Sequence, residues 1–317
     1  MRAFHSRLFQ QNTIQRAASI EGVGIHTGQT TNLRLLPAPS NTGIRFRRVD
    51  AGGVEIPALA SQVSSLELAT TLGRDDVTVS TVEHLMAAIH VAGIDNLVIE
   101  IDGPEVPILD GSSLPYCRLL EAAGTRSQSG LRKILAVTEP IQTEVDGRAI
   151  RIAPFPGLRV SYMVDFPIPA IGHQTIDIRI DSDSFVRELA SARTFAMMKD
   201  VEAMRQHGLG LGGSEDNCVV FDENEPVNTS LRFSDEPVRH KALDAVGDLA
   251  LLGCPLWAHL EVEKGGHLVH FRLIETLLEH PESWTWVRAE SSAAYPEVDT
   301  PELHRDHPPA FPLPSIS

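Results

Sequence analysis

The sequence predicts an α+β protein built from two similar halves. Each half strings strand-like runs ahead of a helix, and that helix is followed by glycine, a strand, a turn and a second helix. The first helix of each half also carries a histidine near its N-terminal end, His84 in one and His240 in the other. The length, 317 residues, suffices for two domains, or one large one, with ample core. The distance from histidine to closing glycine differs, 84 to 93 against 240 to 253, so the duplication is weak as a sequence repeat.

In chain order, residues 13–37 hold two strand-like runs around Gly22, Gly24 and Gly28, and shorter strands follow at 44–49 and 54–57. A helix is predicted from Ser80 to Gly93, with Ser80-x-x-Glu83 reading as a capping box. Asn96–Ile101 has a buried-strand pattern. Asp110-Gly111-Ser112 is a turn, and Pro115 suits the first turn of a helix that ends near Gly124. Residues 125–130, Thr-Arg-Ser-Gln-Ser-Gly, are polar and read as an interdomain linker. In the second half, strands are predicted at 132–145, 148–153 and 158–165 and a helix over 185–192. A further helix runs from Pro237 to Leu252, followed by a strand at 257–262. The turn Lys264-Gly265-Gly266 then opens a helix over 267–279. The expected domains are 1–126 with Glu83 and His84, 131–295 with His240 and Asp244, and a proline-rich extended tail over 296–317.

A net charge of −15 argues against nucleic acid or an anionic membrane surface as a general partner, since both attract basic surface. The three cysteines, Cys117, Cys218 and Cys254, are too scattered for a disulfide framework or a cysteine metal site. They read as buried free thiols in a reducing cytosol. The N-terminal stretch lacks a signal-peptide core, and no apolar run reaches the ~18 residues of a membrane span. The expected location is cytoplasmic, without stable membrane insertion.

The chemistry is concentrated in two segments. Arg239-His-Lys-Ala-Leu-Asp244 puts His240 and Asp244 at i and i+4 on one helix face. Two ligands from one helix and a third from elsewhere make a zinc site with an open position. His84 is the natural third ligand. Glu83, one residue before it and about 100° around the helix, is placed to act as a general base without ligating. As bland alternatives, Glu83 is only a cap and His240–Asp244 an ordinary polar pair. Against the second stands Asp248, a further turn along the same stripe of a helix rich in Ala, Leu and Val. Two acids on an inward face are costly unless paired or metal-bound. Asp244 goes to the metal, and Asp248 pairs with His267, giving a raised-pKa imidazolium suited to an oxyanion or a leaving amine. Thr194 supplies a candidate oxyanion donor. Met197–Met204 has a methionine-rich face at helical spacing that runs into the glycine loop 208–213. Core packing is the plain reading of that face, and the wall of an acyl passage is the functional one.

Together these residues resemble the UDP-3-O-acyl-N-acetylglucosamine deacetylase family, zinc amidases of lipid A biosynthesis. The resemblance runs from Thr13 to about Glu279. It rests on Gly22-Val-Gly-Ile-His26-Thr-Gly28, Pro37-Ala-Pro-x-Asn41-Thr-Gly, Ser80-Thr-Val-Glu-His-Leu, Gly93-Ile-Asp-Asn, Pro107-Ile-Leu-Asp-Gly-Ser, Ser191-Ala-Arg-Thr-Phe195, Leu211-Gly-Gly-Ser214, Leu231-Arg-Phe233 and Val238-Arg-His-Lys-x-Leu-Asp244-x-x-Gly-Asp248-Leu. It implies a duplicated α+β fold in which two sheets enclose the helices, with a small insert in each half. By motif match it implies zinc (or ferrous iron natively) on His84, His240 and Asp244, and Glu83 as base. His267 with Asp248 would be the cationic pair and Thr194 the oxyanion donor. Lys241, Asp165, Phe166 and Phe195 would hold the nucleotide-sugar, and Met198, Val201, Gly213 and Ser214 the acyl chain. Ile168 and Glu215 depart from the family pattern at the nucleotide and acyl contacts. The length leaves no room for the fused dehydratase domain of some relatives. The expected activity is hydrolysis of the N-acetyl group of a nucleotide-sugar lipid, with release of acetate, by a protein favoured to be a monomer. The alternatives are a zinc amidohydrolase of another acylated sugar or amino compound, and a non-catalytic protein that binds no metal.

Overall fold

The computed structural model of the chain describes residues 9–287, so the tail expected over 296–317 lies outside the described residues. The N-terminal half runs β1 (Gln10–Ile14), β2 (Ala18–Val23), β3 (Thr30–Pro37), β4 (Ile44–Arg48), β5 (Val54–Pro57), β6 (Val63–Ser65), β7 (Thr71–Arg74), β8 (Val77–Val79), α1 (Glu83–Val91), β9 (Leu97–Ile101) and α2 (Leu114–Ala123). After β10 (Thr125–Leu131), the C-terminal half runs β11 (Ile134–Val137), β12 (Ile141–Val145), β13 (Arg148–Ala153), β14 (Leu158–Asp165), β15 (His173–Ile180), α3 (Ser182–Glu188), β16 (Phe195–Met197), α4 (Met198–Gln206), β17 (Val219–Phe221), α5 (Glu236–Leu249), β18 (Leu256–Glu263), α6 (His267–Glu279) and β19 (Trp284–Val287).

Each half carries one main sheet, and the two share a connectivity. The first has the order β2-β3-β9-β4-β5, antiparallel except for the parallel β9–β4 pair. In the second, the path β12-β13-β18-β14-β15 repeats that order and sense, with β18–β14 parallel. The central helix precedes β9 in one half and β18 in the other. Such a correspondence is the trace an internal duplication would leave. The C-terminal sheet is widened by β11 and β19. Each half also has an insert, the small sheet β6-β7-β8 in the first and β16, α4 and β17 in the second.

Alternation explains how the sheets pack. In β3, Leu33 and Leu35 point inward while Asn32 and Arg34 face solvent; in β18, Leu256, Ala258, Leu260 and Val262 are buried and Trp257, His259, Glu261 and Glu263 lie on the other face. The buried faces join the helices in one continuous core, from Leu33, Phe46 and Ile99 through Leu85, Leu243 and Val246 to Val160 and Leu260. The helices are therefore sandwiched between the sheets. At the centre α1 packs on α5. A Cβ on Gly247 would lie 2.1 Å from the Glu83 carbonyl oxygen, so only glycine lets the two helices approach this closely.

Several sequence expectations need correction. Residues 125–130, read as a linker, form most of β10, which pairs antiparallel with β1. The capping box at Ser80 and Glu83 is absent: α1 starts at Glu83 itself, its cap position Val82 makes no side-chain cap bond, and the Glu83 carboxylate turns to the Thr70 N–H instead. The strand expected over 132–145 is two strands, β11 and β12, separated by residues that include Pro140. The helix expected over 185–192 is α3, moved forward because Asp181 caps it through the Ser184 N–H. The helix expected to reach Leu252 ends at Leu249 and tightens into a 3₁₀ turn over Ala250–Leu252. All three cysteines are free, but only Cys218 is fully buried.

Candidate active site

The crossing of α1 and α5 brings Glu83 and His84 against His240, Asp244 and Asp248, all five nearly or fully buried. The residue before this turn of α1 but one, Thr81, has φ +58, a left-handed conformation that a β-branched residue adopts only under constraint. Its hydroxyl is held by Glu105 Oε1 at 3.0 Å.

His84, His240 and Asp244 form a compact triad whose ligand-capable atoms all lie within 4.8 Å of one another. His84 Nε2 is 3.6 Å and His240 Nε2 3.3 Å from Asp244 Oδ1. That oxygen is buried and accepts no hydrogen bond. The other oxygen, Oδ2, accepts from Lys241 Nζ at 2.9 Å. His240 Nδ1 lies 3.0 Å from the Ala192 carbonyl, which can only accept, so Nδ1 carries the proton and Nε2 turns a lone pair toward Asp244. Burial lowers the His240 pKa to about 4, against the opposing pull of Asp244. For Asp244 burial acts upward, but His240 and Lys241 hold the carboxyl well below the usual carboxylate range. Two imidazole nitrogens, that of His240 kept neutral by burial, and an ionised carboxylate oxygen with no donor are a donor set suited to a divalent metal.

One turn along α5, Asp248 is saturated. Its Oδ1 accepts from Thr70 Oγ1 at 2.6 Å, and its Oδ2 from His267 Nδ1 and His270 Nδ1, each at 2.8 Å. His270 Nε2 in turn meets the Tyr162 hydroxyl at 3.0 Å. Burial alone would lower the His267 pKa, but the charge and hydrogen bond of Asp248, with Glu83 and Asp244, lift it to about 9. Burial would raise Asp248, yet His267 and His270 bring it to about 2. Glu83 lies between the groups, its Oε1 3.9 Å from His267 Nε2. Burial raises its pKa, partly offset by His267 and His84.

Glu83, His84, His240, Asp244 and His267 open onto a cavity of about 350 Å³, also lined by Thr194, Phe195, Phe166, Lys241, His26 and Leu68. Lys241 lies 5.6 Å over the Phe195 ring, and burial, which would lower its pKa, is outweighed by Asp244. Asp165 and Phe166 border a neighbouring pocket with Lys241 and Lys264, where Lys264 Nζ pairs with Asp165 Oδ2 at 2.7 Å. On the other side, Met198, Val201, Met204, Gly213 and Ser214 line a second cavity with Glu215, and it shares Ile25, Ala196, Met204 and Cys218 with the first. Its glycine loop packs backbone to backbone on the Gly22–Gly28 loop: Gly212 N–H bonds the Ile25 carbonyl, and a Cβ there would strike the Gly24 carbonyl oxygen. The structure thus brings Glu83, His84, Thr194, His240, Asp244 and His267 to one cavity, with Asp248 reaching it only through His267. Of the expected substrate residues, Phe166, Phe195 and Lys241 line that cavity, Asp165 borders the neighbouring pocket, and Met198, Val201, Gly213 and Ser214 line the second cavity. Thr70, His270 and Lys264 were not among the residues singled out in the sequence. His270 had a local signal, three residues after His267 on one helix face; Thr70, brought in by the insert β6-β7-β8, had none.

Among the described residues, no helix is long and apolar enough to cross a membrane. The profile of the UDP-3-O-acyl N-acetylglycosamine deacetylase family matches residues 11–279. Proteins named UDP-3-O-acyl-N-acetylglucosamine deacetylase resemble the chain along most of its length. The one from Idiomarina loihiensis is 43% identical, covering 90% of this chain and 95% of its own. That from Myxococcus xanthus is 44% identical over 89% and 90%. That from Nitratidesulfovibrio vulgaris is 46% identical over 85% and 88%. The chain belongs to the UDP-3-O-acyl N-acetylglycosamine deacetylase family.

Proposed function

We propose that the protein hydrolyses the N-acetyl amide of UDP-3-O-acyl-N-acetylglucosamine, releasing acetate, as a zinc-dependent step of lipid A biosynthesis in the cytoplasm. The observation that carries this reading is the buried Asp244 Oδ1, without a donor and flanked by the Nε2 atoms of His84 and His240. An ionised oxygen left so is costly unless a cation meets it. Zinc held by these three residues would polarise the amide carbonyl and acidify water.

The protein's own groups supply the rest. Glu83, raised by burial and aimed into the cavity, takes the proton of the attacking water. His267, protonated at neutral pH and anchored through Nδ1 to Asp248, presents Nε2–H to the developing oxyanion, with Thr194 as a second donor from the cavity wall. The proton gained by Glu83, or that of His267, goes to the departing amine. Lys241 and Phe166, which border both the catalytic cavity and the neighbouring pocket, hold the nucleotide-sugar, together with Asp165 and Phe195. Met198, Val201, Gly213 and Ser214 border the acyl chain.

The test is metal analysis of the purified protein, combined with acetate release from UDP-3-O-acyl-N-acetylglucosamine. One tightly held zinc or iron per chain and acetate release abolished by chelation are expected. A metal-free protein that still releases acetate would remove the reading.

A further inference from the structure

Arg193 and Glu236 form a second buried charge cluster, 4% and 1% exposed, which the reaction described above does not use. Glu236 lies in the first turn of α5, four residues before His240. Its Oε1 accepts from both the backbone N–H and Nε of Arg193, each at 2.9 Å. Its Oε2 accepts from Arg193 Nη2 at 3.2 Å and the Arg232 N–H at 2.6 Å. The backbone contact matters most, because the Arg193 N–H and the Ala192 carbonyl belong to one peptide unit, and that carbonyl takes the His240 Nδ1 proton at 3.0 Å. One peptide plane is thus gripped at both ends by side chains of the same helix, Glu236 on its N–H and His240 on its C=O.

We propose that Glu236 is a positioning residue for His240, acting through the Ala192–Arg193 peptide. The proposal rests on the reading of His240 as a metal ligand. A carboxylate on the N–H of a peptide polarises it and strengthens its carbonyl as an acceptor. A stronger acceptor at Nδ1 fixes the His240 tautomer and ring orientation and makes Nε2 a more basic ligand. The next residue, Thr194, is held by a separate contact, its N–H bonding the Gly111 carbonyl at 2.8 Å. A buried ion pair is weak evidence of stability in its own right. Its value here lies in what the peptide does for the histidine.

Two variants separate this role from a staple that merely holds the loop. Glu236→Gln keeps an oxygen for the Arg193 N–H but removes the charge. Arg193→Lys removes the guanidinium fork but keeps the backbone N–H on Glu236. Zinc affinity of the metal-free proteins is measured by competition with a chromophoric chelator, alongside their thermal unfolding. Glu236→Gln is expected to lose about tenfold to a hundredfold in zinc affinity, the range seen for outer partners of ligating histidines. Arg193→Lys is expected to melt earlier while binding zinc within about threefold of the native protein. Native affinity in Glu236→Gln, or a parallel loss in Arg193→Lys, would overturn the proposal. Should Glu236→Gln not fold, Arg193→Lys decides: near-native affinity supports the grip, and a tenfold loss refutes it. His240→Ala separates this idea from the one beneath it. Zinc binding by that variant as tight as the native protein's would remove the metal reading itself. Zinc binding lost there but native in Glu236→Gln would remove only the role of Glu236.

Discussion

Asp244 and Asp248 lie one turn apart on α5, each beside two histidines, and they end in different chemistry. Around Asp248 each carboxylate oxygen receives at least one donor at 2.6–2.8 Å, from Thr70, His267 and His270. Around Asp244 one oxygen receives none, and the nearby imidazole nitrogens stand 3.3–3.6 Å away. The residue types match, so what separates them is where the imidazole protons go. His240 spends its Nδ1 proton on a backbone carbonyl and turns a lone pair inward, whereas His267 and His270 spend theirs on the acid. The first arrangement suits a metal and the second a donor that is charged at neutral pH.

The strongest way to break this comparison is to delete each acid. Asp244→Ala is expected to lose metal and activity together, down to background. Asp248→Ala is expected to keep its metal and lose turnover by on the order of 10²–10⁴-fold, the weight of a positioned acid. Metal analysis with initial rates checks both, and a metal-loaded, active Asp244→Ala would end the distinction. If Asp248 acts only through His267, removing both costs little more than the worse single change. Additive losses in kcat would show two separate functions.

Glu83 bridges the two clusters, next to His84 in sequence and facing His267 in space. Its carboxylate accepts from the Thr70 N–H, a bond that the amide oxygen of Gln can also take. Glu83→Gln is therefore expected to fold and hold metal normally while losing on the order of 10²-fold or more in kcat. A variant that is active but melts earlier would reduce Glu83 to a structural link.

Much of this contrast was legible in the sequence, and its limits have physical reasons. His240, Asp244 and Asp248 follow from helical periodicity, and their need for partners from the cost of burying acids. The second histidine on Asp248 does not follow from that cost, because one partner already offsets a buried acid, although a carboxylate has room for several. Thr70 was beyond reach because its contact spans 178 residues of chain. The same reason hid β10: a polar strand with no apolar alternation is held by its pairing with β1, more than a hundred residues away. β15 is a different kind of miss. Ile176, Ile178 and Ile180 alternate with Asp177 and Arg179, a strand signal present in the sequence but missing from the elements expected above.

Chain-length dependence tests the region outside both clusters. A substrate shortened by four methylenes should lose roughly 3 kcal/mol, about a hundredfold in kcat/KM, if Met198, Val201 and Met204 border the acyl chain. Met198→Glu should flatten that dependence. A native enzyme indifferent to chain length would return this segment to plain packing.

The smallest expected effect is in stability against pH. His267 is raised from 6.5 to about 9, so its contribution is complete below pH 6.5 and is lost as pH rises through about 9. Asp248 is lowered from 3.8 to about 2, so its contribution is complete above pH 3.8 and is lost as pH falls through about 2. Thermal unfolding of the metal-free protein should be insensitive to this pair between those inner limits, and Asp248→Asn should flatten both outer slopes.

The difference between the clusters is tested most directly by diffraction at the zinc absorption edge from crystals of the zinc-loaded protein. The account predicts one anomalous peak, within ~2.0–2.2 Å of His84 Nε2, His240 Nε2 and an Asp244 oxygen, and none among Asp248, His267 and His270. A principal peak on the Asp248 cluster, or none at Asp244, would contradict it.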